Sequence, residues 1–187
     1  MALHLVPPPS ATMSAHHESM ADFMDPDPLH VEVFHLPVGT LGLSELAAGA
    51  TLHDVVPAGC RILTKWPGGS TTLCEMGGPT DYEAVELRNF TSGDFAAKVF
   101  ARIAAAQALD VVGLEDFELH FLSIPGIYLE ALHLVCKGKS GDFVLPLISM
   151  DPRLGSDAVC GAAEFLAVAR ASAEARVAKT SSDPLSS

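Results

Sequence analysis

Three apolar stretches follow one another between Phe117 and Ile148 with only two short breaks, and this constrains the fold more than anything else in the chain. Phe117–Ile124 and Ile127–Cys136 alternate in the manner of half-buried strands, and Pro125-Gly126 between them suits the centre of a type II turn. Phe143–Ile148 resumes after Lys137-Gly138-Lys139-Ser140-Gly141. Pro146 has no amide proton to give to a ladder, so this third strand is expected to lie at an edge or to stop there. Three consecutive strands with two tight connections predict an antiparallel meander.

Other segments extend the sheet. His30–Leu36 is rich in Val and Phe and reads as a strand. Arg61–Trp66 places Ile62, Thr64 and Trp66 on one face, Pro67-Gly68-Gly69 breaks the run, and Ser70–Met76 continues it, which predicts a hairpin. Thr80-Asp81-Tyr82-Glu83 has the form of a capping box, yet Tyr82–Phe90 reads equally well as a half-buried strand, and both assignments stand. Phe95, Val99, Ile103 and Ala106 recur at helical spacing after Ser92-Gly93-Asp94. A final helix is expected with Ser156 as N-cap, Asp157 in its first turn, and Val159, Ala162, Ala163, Leu166 and Ala169 as its apolar stripe. The expected fold is therefore α+β: an antiparallel sheet of about five or six strands with two longer helices packed on one face. Residues 1–28, with Pro7-Pro8-Pro9, Asp25-Pro26-Asp27-Pro28 and three of the eight histidines, read as a solvated tail. Residues 29–178 read as one domain, and residues 179–187 as a disordered end.

The meander supports a register argument. With Pro125 and Gly126 at the turn centre, Ile124 pairs with Ile127. Phe117, Leu119, Phe121, Tyr128, Leu132 and Leu134 then share a core face. Glu118, His120, Leu122, Leu129, Ala131 and His133 share a more amphipathic one, with Glu118 directly opposite His133. Two imidazoles and a carboxylate are ligand types of a mononuclear iron or zinc site, so Glu118, His120 and His133 are metal candidates. The same three residues also fit ordinary cross-strand Glu–His pairing. On the core face, Glu130 falls among Phe121, Tyr128 and Leu132, where a carboxylate must be paired, protonated or at the rim. Tyr128 and Glu130 are thus candidates for a ligand pocket. Cys136 and His133, three apart on one strand, point to opposite faces and form no dyad there.

Composition narrows the partners. The net charge is −12, and no Lys or Arg precedes Arg61, so nucleic acid and anionic membrane surfaces are poor expectations; the charge reads first as keeping an apolar-rich chain dispersed, and second as an acidic face for a basic partner. Mean hydropathy is +0.31, yet no run reaches the roughly 20 apolar residues of a membrane span. Met1–Val6 is too short and lacks the basic flank of a signal peptide, so the expected setting is cytoplasmic. Cys60, Cys74, Cys136 and Cys160 contain no C-x-x-C pair. Phosphate-loop, dinucleotide, nucleophile-elbow and HExxH motifs are missing, and no cofactor is expected. The leading expectation is a non-catalytic interaction or accessory domain, a chaperone- or immunity-type binder of a basic client, as monomer or homodimer. Behind it stand a small-ligand-binding domain with a pocket between sheet and helices, and a metal-dependent enzyme using Glu118, His120 and His133.

Overall fold

A computed structural model describes residues 2–7, 9–20, 31–77, 86–155 and 158–181. The elements in chain order are β1 (Leu3–Leu5), α1 (Ser10–Met20), β2 (Glu32–Thr40), α2 (Leu43–Ala47), β3 (Val56–Lys65), β4 (Thr71–Gly77), β5 (Glu86–Ser92), α3 (Asp94–Gln107) and α4 (Asp110–Leu114). They continue with β6 (Phe117–Ile124), β7 (Leu129–Cys136), β8 (Phe143–Ile148), β9 (Cys160–Gly161) and α5 (Ala162–Ser181).

Among the described residues the strands form one nine-stranded sheet in the order β5-β4-β3-β2-β6-β7-β8-β9, with β1 beside β6. It is mixed. β2 runs parallel to β6, Val38–Thr40 against Phe121–Ser123, and β1 runs parallel to the other half of β6, Leu3–Leu5 against Phe117–Leu119. The expected five or six antiparallel strands are therefore corrected to nine in a mixed sheet. The β2–β6 pair is parallel because β3, β4 and β5 grow away from β2, and the chain then returns through α3 and α4 to pair with β2's free edge.

The second correction concerns the helices, which do not share a face. Odd-numbered β6 residues Phe117, Leu119 and Phe121 cluster with Leu36, Leu63 and Leu132 beneath Val99, Ile103 and Ala106 of α3. Even-numbered Leu122 and Ile124 cluster with Leu129, Ala131 and Val144 beneath Phe165, Ala169 and Ala173 of α5 and Leu46 of α2. Successive strand residues point to opposite sides, so α3 and α5 lie on opposite faces. The physical reason is that β6 and β7 are apolar on both sides, and one layer of helices leaves one side wet.

The second face has a further cover. Residues 3–5 and 10–20 belong to the stretch read as a tail, and they form β1 and α1. Thr12, His16 and Met20 are buried on α1, and Met20 packs with Cys60, Ile62, Cys74 and Met76 of β3 and β4. Residues 21–30 and the capping-box segment Thr80–Glu83 lie outside the described residues, and β5 accounts for Glu86–Ser92.

The β6–β7 register also departs from expectation. Pro125–Ile127 forms a turn of 3-10 helix and Tyr128 takes a left-handed conformation with φ of 51°, so four residues connect the strands. Ile124 pairs with Leu129, and His120, not Glu118, stands opposite His133. The slip is two residues, which preserves parity. Glu118, His120 and His133 thus remain on the same face.

Candidate functional site

The second face carries two covers, α1 over β3–β4 and α2 with α5 over β6–β8, and between them β2, β6 and β7 expose a pocket of about 240 Å³. Its floor holds Pro37 of β2, His120 of β6, and His133 and Val135 of β7. Its wall is the loop after α2, where Leu52, His53 and Val55 stand over the strands. That loop is fixed locally: the Thr51 hydroxyl accepts from the His53 amide at 3.3 Å and the Asp54 carboxylate accepts from the Thr51 amide at 2.8 Å, a complete capping box. Val55 comes so close to the backbone of Gly39 that a Cβ there would collide with it, so glycine is what lets the wall reach the floor.

The polar groups converge from three elements. His133 Nε2 lies 2.8 Å from Asp142 Oδ2, with both side chains largely buried. Asp142 Oδ1 accepts the Cys136 amide at 2.9 Å, and the Asp142 carbonyl accepts the Ala162 amide at 2.9 Å, so this carboxylate is anchored by β7 and by the start of α5. Burial pushes the Asp142 carboxyl up, but the hydrogen bonds from His133 and the Cys136 amide outweigh it and hold the pKa below the ordinary carboxylate value. His120 Nε2 lies 3.4 Å from Glu118 Oε2, and Lys137 Nζ pairs with the same oxygen at 2.9 Å. Lys137 foremost keeps Glu118 ionised, whereas burial foremost keeps His120 below its ordinary pKa. The two imidazoles meet edge to face, centroids 6.4 Å apart. Beside them His35 is 3% exposed; its Nδ1 donates to the Val6 carbonyl at 3.1 Å, and its Nε2 has no hydrogen-bond partner among the described residues. Burial lowers the pKa of this ring too.

This arrangement decides what Glu118, His120 and His133 do together. Each imidazole turns Nε2 to a different carboxylate, Glu118 for one and Asp142 for the other. Among the described residues no three His, Cys, Asp or Glu side chains are placed to hold one metal ion. The triplet forms two carboxylate-oriented histidines on the floor of a pocket.

Tyr128 and Glu130 are not brought together. Glu130 receives both guanidinium ends of Arg61, at 3.0 and 2.9 Å, while that guanidinium lies 4.0 Å from the centroid of Phe121. Arg61 is 8% exposed, and Glu75 lies 3.9 Å away. These groups line a small polar cavity of about 170 Å³ with Asn89 and Thr91 on the α3 side of the sheet. Tyr128 instead borders an open groove with Met150, Asp151 and Arg176, and Arg176 stacks 5.0 Å from its ring centroid.

Asp142, His53 and Arg61 are polar residues of these cavities that the sequence does not mark as site residues. For Arg61 a signal existed: a cation inside the apolar run of one strand and a lone carboxylate, Glu130, on another predict each other. Asp142 and His53 reach the pocket from loops, where no periodicity marks them. Among the described residues no helix is long and apolar enough to cross a membrane. No family model, curated protein or solved structure matches this chain.

Proposed function

We propose that the chain is a small-ligand-binding domain whose site is the pocket between sheet and covers at His53, His120, His133 and Asp142. The observation that carries this reading is the anchored Asp142–His133 pair: a largely buried aspartate held by β7 and by the start of α5 at the edge of an apolar-walled opening. Structural ion pairs are usually closed off by packing, whereas ligand sites combine apolar walls with a few convergent polar groups. At about 240 Å³ the pocket is below the roughly 300 Å³ of drug-sized sites, which favours a compact ligand. Four unpaired cysteines, three of them buried, support a reducing, cytoplasmic setting, and the charge of −12 supports a dispersed acidic protein.

One observation favours the interaction-domain reading as a second possibility. Tyr128, Ile148 and Met150 are 57%, 45% and 75% exposed at or near the open groove, more apolar surface than a few scattered residues would give. Native mass spectrometry of protein purified gently from its own host separates the two. A stoichiometric small added mass supports the pocket; a second chain with no small mass supports the interaction domain and removes the pocket reading.

A further inference from the structure

We infer that the ligand of this pocket is a small organic amine, its ammonium group received by Asp142 and its hydrocarbon part held by Pro37, Leu52 and Val135. The inference rests on the pocket reading above and adds the chemical class.

Among the described residues lining the pocket, Asp142 is the only formally charged one. No Lys or Arg among the described residues forms an ion pair with it, in contrast to Glu118, which has Lys137, and Glu130, which has Arg61. A carboxylate offers about four lone-pair sites. His133 and the Cys136 amide use one on each oxygen, so each oxygen keeps a site for a further donor.

The imidazoles point the same way. A carboxylate accepts only, so a neutral His133 must carry its proton on Nε2, which leaves Nδ1 as a lone-pair acceptor. The contact of His120 with Glu118 sets the same tautomer there. The result is a set of acceptors, Asp142 and the Nδ1 atoms of His120 and His133, around one negative charge, with the neutral His53 ring on the wall adding one donor and one acceptor. An anionic ligand meets repulsion, and a hydroxyl brings a single proton donor. A primary ammonium brings three donors and the compensating charge, and charge-assisted hydrogen bonds are roughly twice as strong as neutral ones.

The test is a heteronuclear NMR titration of the full chain at about pH 8, where imidazole is ordinarily uncharged. The probes are benzylamine, benzyl alcohol and benzoate, which share a ring and differ in charge. Benzylamine is expected to shift the resonances of His53, His120 and Val135 and to bind at least about tenfold tighter than benzyl alcohol, with benzoate silent. Asp142→Asn keeps an oxygen for the Cys136 amide and is expected to abolish that tenfold preference. Val135→Phe fills the pocket without touching its charge and is expected to abolish binding of both probes, so the outcome does not depend on the folding of one variant. Equal affinity for alcohol and amine, or an unchanged preference in Asp142→Asn, overturns the amine inference and leaves the pocket reading standing. Silence of benzylamine at these resonances also overturns it. The pocket reading itself falls on the mass measurement, when the native protein carries no small added mass.

Discussion

His16 stands where a leucine would serve the fold better, and replacing it tests how α1 is held. Thr12, His16 and Met20, four apart, form the stripe that α1 buries, and His16 is 1% exposed. Among the described residues neither of its ring nitrogens has a hydrogen-bond partner, and the Thr12 and Thr64 hydroxyls are likewise buried without one. A buried polar group left unsatisfied costs about 1–3 kcal/mol. His16→Leu removes two such atoms and adds apolar area, so it is expected to stabilise the protein by about 1–2 kcal/mol at neutral pH. The pH dependence supplies the second half of the test. Burial, reinforced by the neighbouring His17, pushes the His16 pKa down from 6.5 to about 4. The unfolded chain therefore binds the proton more readily than the folded one, and stability falls as the pH drops. The penalty is absent well above pH 6.5, grows as the pH falls below it, and is complete below about 4. A tenfold difference in proton affinity between the folded and unfolded chain corresponds to about 1.4 kcal/mol; with allowance for solvent reaching the helix edge, the full penalty is about 2 kcal/mol. Urea unfolding of wild type and variant at about pH 7.5 and pH 5 reads both effects, with m unchanged. The variant should be the more stable at both, and its advantage should widen at the lower pH. A variant less stable than wild type at the higher pH, or an advantage that does not widen, refutes the reasoning.

Other consequences follow from particular contacts. Glu130→Gln leaves the buried Arg61 guanidinium with only Glu75, 3.9 Å away, and should cost about 2 kcal/mol in urea unfolding, less than the 3–5 of a fully buried pair. Replacing both partners, Arg61→Met with Glu130→Leu, should recover most of that loss. Gly59 has φ of +122°, and a Cβ there would stand 2.5 Å from the Met76 carbonyl oxygen; Gly59→Ala should destabilise by about 2 kcal/mol or more, measured by the same assay. Burial raises the thiols of Cys60 and Cys74 to about 11, so alkylation of the native protein followed by mass spectrometry should leave both unmodified at about pH 8, while the half-buried Cys136 reacts.

What could be read in advance depended on whether the signal was local. The helix from Asp94 to Gln107 was legible because Val99, Ile103 and Ala106 are all buried on one side of it. The last helix was legible as a helix but not in its face. Cys160 and Gly161 pair with Val144 and Phe143 as β9, which delays the start to Ala162, and the buried stripe becomes Phe165, Ala169 and Ala173. Val159, expected in that stripe, is 42% exposed, and Ser156 and Asp157 lie outside the described residues. The short strand Leu3–Leu5 has no local signal at all; it exists because β6 offers a free edge beyond the end of β2. The face shared by Glu118, His120 and His133 was legible because parity survives an even slip. Their carboxylate partners were not, since Asp142 reaches His133 only after the chain has turned through Lys137–Gly141.

The pocket itself follows from how the second face is covered. α1 is an 11-residue helix seated at one side of the sheet, and α2 with α5 occupies the other. Between them, β2 and β7 change character: His35 and Pro37, then His133 and Val135, replace the continuous aliphatic rows found under α3. Apolar residues in that gap would face solvent, and charged residues without partners would lose hydration beside the helices. Histidine meets both demands, because a neutral imidazole satisfies one nitrogen on a carboxylate or carbonyl, as all three of these rings do, and His120 and His133 also pack edge to face. The nitrogens not so occupied are what a ligand would find. A purely structural seam would close over them, and at His35 the fold does close, leaving Nε2 buried and unpartnered; at His120 and His133 it stays open. That difference between adjacent histidines on one face is the reason to seek the ligand there and not at His35.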